Sequence, residues 1–181
     1  MKKAIILSMF AFVAIAISSC KKEAVKVETD IDSKLSVTFS IPVDTIPGYK
    51  EYNKQIVNSD LETKLNEYKA SLDDVKSVQV SSVEWALIDG STMTFDAIDY
   101  VDSYFMLEGG TESKIAYLSP VAHDGSKLIK LSSSNTDLKQ FLSKKSFYIV
   151  SKGYNNTKVL VEQPVKITIN YKIKANVVPL K

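Results

Sequence analysis

The chain has 181 residues, with 23 basic against 21 acidic side chains and a formal charge of +2. Every basic residue is lysine, so no bidentate arginine clamp on phosphate or carboxylate is available. Cys20 is the only cysteine and His123 the only histidine, which excludes an intrachain disulfide and disfavours a zinc site of several N or S ligands.

The N-terminus has three parts. Met1-Lys2-Lys3 is positive, Ala4 to Ile17 is apolar apart from Ser8, and Ser18-Ser19 precede Cys20. This is the layout of a secretory signal peptide. Its apolar run is short for a spanning helix, which needs about 20 residues. Ile17-Ser18-Ser19-Cys20 resembles the bacterial lipobox, with Ile in a position more often held by Leu. That resemblance implies cleavage before Cys20, diacylglycerol on its sulfur and often an acylated amine. One acyl chain holds only marginally, whereas two or three make a lasting anchor. Cleavage also removes Lys2 and Lys3, leaving a near-neutral chain with no basis for a nucleic-acid partner. Residues 1–19 are therefore expected to be a lipoprotein signal peptide. Residues 20–33 read as the lipidated Cys20 and a polar tether, and residues 34–181 as a single β-sandwich-like domain. Lys21, rather than Asp, after the cysteine favours the outer membrane over inner-membrane retention.

Leu35, Val37, Phe39 and Ile41 alternate with polar residues, as in a half-buried strand. Pro42 and Pro47-Gly48 then open an expected loop carrying Tyr49 and Tyr52. Ser59 and Glu62 have capping-box spacing, and Leu61, Leu65, Tyr68 and Leu72 share one helical face. Val78 and Val80 begin a strand that Val83, Trp85 and Leu87 continue in opposite phase, so a bulge or a sharp bend is expected at Ser81-Ser82. Trp85 is read as core. Further strands are expected at Met93 to Phe95, Tyr100 to Leu107, Lys114 to Leu118, Lys127 to Leu131, Phe147 to Ser151 and Val159 to Val161. Thr136 to Leu142 reads as a short helix and Gly153 to Thr157 as a turn. The last strand is the clearest: Val165 to Val177 alternates apolar with polar throughout. Short strands with turn signals between them predict an antiparallel β-sandwich, immunoglobulin-like or related, with one or two short helices.

The lipobox, the Leu61 to Leu72 helix, Leu72-Asp73-Asp74-Val75-Lys76-Ser77-Val78 and the Val165 to Ala175 strand together look like small lipoproteins of Bacteroidetes-type bacteria. The resemblance implies a sandwich fold and an envelope location, and carries no catalytic residue.

No cofactor motif is present. His123 has Ser119 and Asp124 on its own loop, without a nucleophile-elbow pattern. Asp96, Asp99 and Asp102, with Asp89 upstream, form the densest acidic group, but their spacing does not match an EF-hand loop. Glu84 and Glu108 could be drawn as a glycosidase pair only if the fold joined them. Tyr49, Tyr52, Tyr100, Tyr104 and Tyr154 fall near loops or strand ends and are the expected exposed aromatics. Asn155-Asn156-Thr157 fits a glycosylation pattern that has no bearing in a bacterial lipoprotein. The expectation is a lipid-anchored, non-enzymatic envelope protein with a binding or structural role. The alternative is an accessory part of glycan capture or adhesion assembly, with a hydrolase third. An exposed aromatic row would favour a binding role for a glycan or a protein.

Overall fold

The structure, a computed structural model, describes residues 25–179. Cys20 and the signal peptide lie outside the described residues. Eight antiparallel strands make up the body: β1 (Val27–Ile41), β2 (Gly48–Asn58), β3 (Val75–Leu87), β4 (Ile98–Met106), β5 (Ser113–Leu118), β6 (Leu128–Ser133), β7 (Ser146–Asn155) and β8 (Gln163–Val177). Two short helices, α1 (Leu61–Glu67) and α2 (Lys139–Leu142), follow β2 and β6.

The strand order is β1-β8-β3-β6-β5-β4-β7-β2. The sheet curls into two layers, β1-β8-β3-β6 and β5-β4-β7-β2, joined by Ala116↔Ser133 and Tyr117↔Ser132. Cross-layer contacts close the core. The Trp85 ring on β3 meets Tyr52 on β2 at 6.2 Å, and its indole N–H donates to Ser103 Oγ on β4 at 3.1 Å. This is a β-sandwich of jelly-roll type, the related arrangement rather than the immunoglobulin one, whose strands are grouped differently.

β8 is central because its alternation is unbroken. Ile167, Ile169, Tyr171, Ile173 and Ala175 are buried, and the residues that alternate with them face out. It pairs along its whole length with β1 and with most of β3. The β3 register slips between Val80 and Ser82, which is the bulge expected from the change of phase. Trp85 is fully buried, as expected.

Several expectations need correction. β1 begins at Val27, so residues 27–33, read as tether, are strand, and Ile31 is buried opposite Ile173. The expected Tyr49–Tyr52 loop is strand β2, an edge strand paired with β7. Met93 to Phe95 is not a strand, and Phe95 instead buries its ring at the start of a 3-10 turn. Gly153 to Asn155 continues β7 rather than turning. Val159 to Val161 reduces to a single bridge, Asp44↔Val159. The α1 helix ends at Glu67, and Ser59 caps nothing through Glu62. Its hydroxyl accepts from the Leu61 N–H at 3.2 Å and donates to the Leu142 carbonyl.

The two ends of the sandwich differ. Val27 pairs with Val177, so both termini of the described chain lie at one end. At the other end four loops interlock. Phe95 N–H donates to Ser126 at 2.9 Å, Asn156 N–H to Ala97 at 3.0 Å and Asp44 N–H to Val159 at 2.8 Å.

Candidate functional site

The outer face of the β5-β4-β7-β2 layer gathers six of the nine tyrosines: Tyr49, Tyr100, Tyr104, Tyr117, Tyr148 and Tyr154. Register places them. Tyr49 lies opposite Tyr154, and Tyr154 opposite Tyr100, across three adjacent strands. The Tyr100 ring contacts both, with centroids 6.4 Å from Tyr49 and 5.9 Å from Tyr154. Such cross-strand aromatic pairs stabilise the sheet they stand on. The next row holds Glu51, Lys152, Asp102 and Tyr117 in register.

Charges between the rings are paired. Lys152 Nζ lies 2.6 Å from Glu112 and 3.8 Å from Glu51. Lys114 lies 3.0 Å from Asp102, which also accepts the Tyr104 hydroxyl at 3.0 Å. The same ammonium groups sit over rings: Lys152 over Tyr104 at 5.3 Å, and Lys114 over Tyr104 at 5.5 Å and Tyr117 at 5.8 Å. Lys54 covers Tyr148 at 5.5 Å. These are cation–π contacts. Burial raises the Tyr104 pKa above the ordinary phenol value, and the Asp102 carboxylate adds to it. Burial and the neighbouring Tyr49 raise Tyr100 in the same way. Burial works against the Lys152 ammonium, but the Glu112 carboxylate outweighs it and lifts its pKa.

The local sequence explains why the face is so arranged. Alternation along β2 keeps Tyr49 and Glu51 outside and turns Tyr52 inward, and the bulge between Glu51 and Asn53 then shifts the phase so that Lys54 and Ile56 face out. Tyr52 is buried, its hydroxyl donating to Asn155 Oδ1 at 2.7 Å. Its ring fills the space beside Gly153, where a Cβ would meet Tyr52 Cε2 and the Tyr100 carbonyl oxygen, each at 2.6 Å. Gly153 is thus needed for close approach, since a larger residue would push apart the strands that carry Tyr100 and Tyr154.

The outer face of the other layer is chemically different. Asp30 pairs with Lys172 at 3.5 Å, Glu84 with Lys130 at 3.4 Å, and Glu28 with both Lys76 and Lys174. The hydrogen bond from Lys76 lowers the Glu28 pKa. This is a solvated, charge-laddered surface, and such exposed pairs add little stability.

Four of the six, Tyr49, Tyr100, Tyr104 and Tyr154, are among the expected exposed aromatics, whereas Tyr52, expected with them, is buried. Tyr117 and Tyr148 carry no loop signal because they lie within strands β5 and β7. The phase of Tyr148 against Phe147 and Ile149 was the available signal.

The remaining sequence candidates are dispersed. His123 Nε2 lies 3.5 Å from Asp99 Oδ1 and 3.3 Å from Asn156 Nδ2. Asn156 Nδ2 also donates to Asp99 Oδ1 at 2.7 Å. Among the described residues no Ser or Thr hydroxyl bonds to the ring, and Ser119 and Asp124 do not reach it. Asp96, Asp99 and Asp102 do not converge: Asp96 accepts the Gly125 N–H, Asp99 faces His123, and Asp102 holds Lys114 and Tyr104. No group of three His, Cys, Asp or Glu able to hold a metal occurs among the described residues. Glu84 pairs with Lys130 within the β1-β8-β3-β6 layer, while Glu108 lies in the exposed turn after β4, so the fold does not join them. Asn155 is 1% exposed, its side chain committed to Tyr52. No helix among the described residues is long and apolar enough to cross a membrane.

No family model matches this chain, and no curated protein does. Among solved structures, a 60-mer BFDV capsid protein aligns over 87% of this chain and 98% of its own, at 8% identity and a TM-score of 0.36. Desmodium yellow mottle tymovirus aligns over 84% of this chain and 92% of its own, at 11% identity and a TM-score of 0.24. At these scores neither carries an argument about function.

Proposed function

We propose that this chain is a lipid-anchored, non-enzymatic protein of the cell envelope. Acylated Cys20 would hold it at the outer membrane, and the tyrosine-bearing sheet face would make its contacts. The observation that carries the binding role is segregation. Six of the nine tyrosines share one outer face, while the opposite outer face carries paired charges. Tyr is enriched where surfaces bind because it offers a large rigid ring with a polar tip.

The anchoring role rests on the N-terminal sequence and fits the fold. Residues 21–26 between Cys20 and β1 can extend over at most roughly 20 Å. β1 then carries the chain about 45 Å from Val27 to Ile41, toward the four interlocked loops. The tyrosine face would stand beside that axis, clear of the bilayer. The non-enzymatic reading rests on how the candidate acids are engaged: Asp99 faces His123, Asp96 accepts the Gly125 N–H, and Asp102 holds Lys114 and Tyr104.

The test of anchoring is Cys20→Ala. Wild-type protein should pellet with membranes and carry diacylglycerol mass on its N-terminal peptide. Cys20→Ala should be soluble or unprocessed. Wild-type protein that lacks acyl mass and stays out of the membrane fraction overturns the reading.

A further inference from the structure

We infer that the tyrosine face binds an uncharged carbohydrate chain, an inference that rests on the proposed binding role of that face. The first argument is charge. Lys54, Lys114 and Lys152 are balanced by Glu51, Asp102 and Glu112, and four of these six are joined at 3.0 Å or closer. An anionic ligand at the centre of the face would have to displace Glu112 from Lys152 or Asp102 from Lys114. A cationic ligand would have to displace the lysines. An uncharged ligand leaves every pair in place and so avoids that cost.

The second argument is chemistry. A pyranose offers an apolar C–H face to a ring and hydroxyls that both donate and accept. The face supplies both partners side by side. Tyr49 and Tyr117 are 54% and 46% exposed, and Glu51 and Lys114 lie beside them with ion-pair oxygens and ammonium protons still open to water.

The third argument is against a protein. The buried centre of a protein interface is depleted in Lys, Glu and Asp. Here a lysine lies over the ring of Tyr104, Tyr117 and Tyr148 alike. A protein partner would desolvate those charges, whereas a hydrated sugar chain would hydrogen-bond to them.

The experiment uses the full chain purified in detergent. It is first probed on an array of neutral oligosaccharides (glucan, mannan, galactan and xylan) and acidic ones (uronic, sialylated and sulfated). The best neutral binder is then titrated by calorimetry. Binding should be confined to the neutral set and insensitive to salt. Tyr49→Ala, on an exposed edge-strand position that tolerates truncation, should weaken it about tenfold, equal to about 1.4 kcal/mol. Tyr100→Ala should do at least as much, and Lys174→Ala on the opposite face should leave it unchanged. Preference for acidic glycans, no neutral binder at all, or Tyr49→Ala with wild-type affinity would each overturn the inference. A photo-crosslinker at Ile56 on the same face, used in intact envelopes, separates the two levels. Capture of a protein without glycan binding overturns the carbohydrate but keeps the binding face. Neither glycan binding nor crosslinking removes both.

Discussion

Gly153→Ala is the sharpest probe of how the fold supports the tyrosine face. The new Cβ would sit 2.6 Å from the Tyr100 carbonyl oxygen, 2.6 Å from Tyr52 Cε2 and 2.7 Å from the Tyr52 hydroxyl. None of these can retreat cheaply. The carbonyl belongs to β4, whose register with β7 places Val101 opposite Gly153. The Tyr52 ring is 6% exposed, lies against Trp85 and is tied to Asn155. Overpacking of a fixed site costs about 1 to 3 kcal/mol, and two fixed neighbours put this site near the upper end. With a urea slope of about 1 to 3 kcal/mol per M, the unfolding midpoint should fall by about 1 M at unchanged slope. Adding Tyr52→Ala removes one of the clashing neighbours. The double variant should therefore cost less than the sum of the singles by about 1 kcal/mol. A midpoint shift below about 0.2 M, or strict additivity of the two changes, would refute the close-approach argument.

Two further predictions follow from buried polar groups. Trp85→Phe removes the donor to Ser103 Oγ, and both residues are fully buried. An orphaned buried hydroxyl costs about 1 to 3 kcal/mol, so Ser103→Ala should restore part of the loss in the double variant, as read by thermal or urea unfolding. A double variant no more stable than Trp85→Phe alone would show that Ser103 finds another partner. The second concerns alkaline pH. Burial raises the phenols of Tyr52, Tyr104 and Tyr171 above the ordinary value of 10.0. Because their folded pKa exceeds the unfolded one, the stability they contribute is complete below pH 10 and is lost as pH rises beyond it. Phenolate absorbance should rise in two stages, the later one coinciding with loss of circular dichroism. One stage near pH 10 with the fold intact contradicts this.

The sequence carried most of the fold where alternation was strict. β8 reads directly from Val165 to Val177, and the bulge at Ser81-Ser82 reads from the reversed phase of Val80 and Val83. β2 was illegible because it is an edge strand whose one buried side chain is Tyr52. Lys50, Glu51, Asn53, Lys54 and Gln55 around it have a loop's composition. The start of β1 was lost for the same reason: Asp30 and Asp32 face water, and Ile31 alone is buried between them. Phe95 misled in the opposite direction, since one buried aromatic in a 3-10 turn resembles a strand residue. For the candidate site, the tyrosines were visible as residues but not as a face. Grouping them requires the β2-β7-β4-β5 pairing, which joins segments far apart in the chain. Tyr52 left the group by plain alternation, since Tyr49 and Glu51 face out and position 52 faces in, but that phase counts only once the segment is known to be a strand.

Mild iodination of tyrosine, read by mass spectrometry, tests the proposed contact face most directly. Native envelopes are compared with detergent-purified full-length protein. Tyr49 and Tyr117, 54% and 46% exposed, should react in the purified protein. Tyr52 and Tyr171, 6% and 1% exposed, should stay unreactive in both samples as internal controls. If the tyrosine face is the contact surface, Tyr49 and Tyr117 will be protected in the native envelope. Equal reactivity of both residues in the two samples would contradict the account.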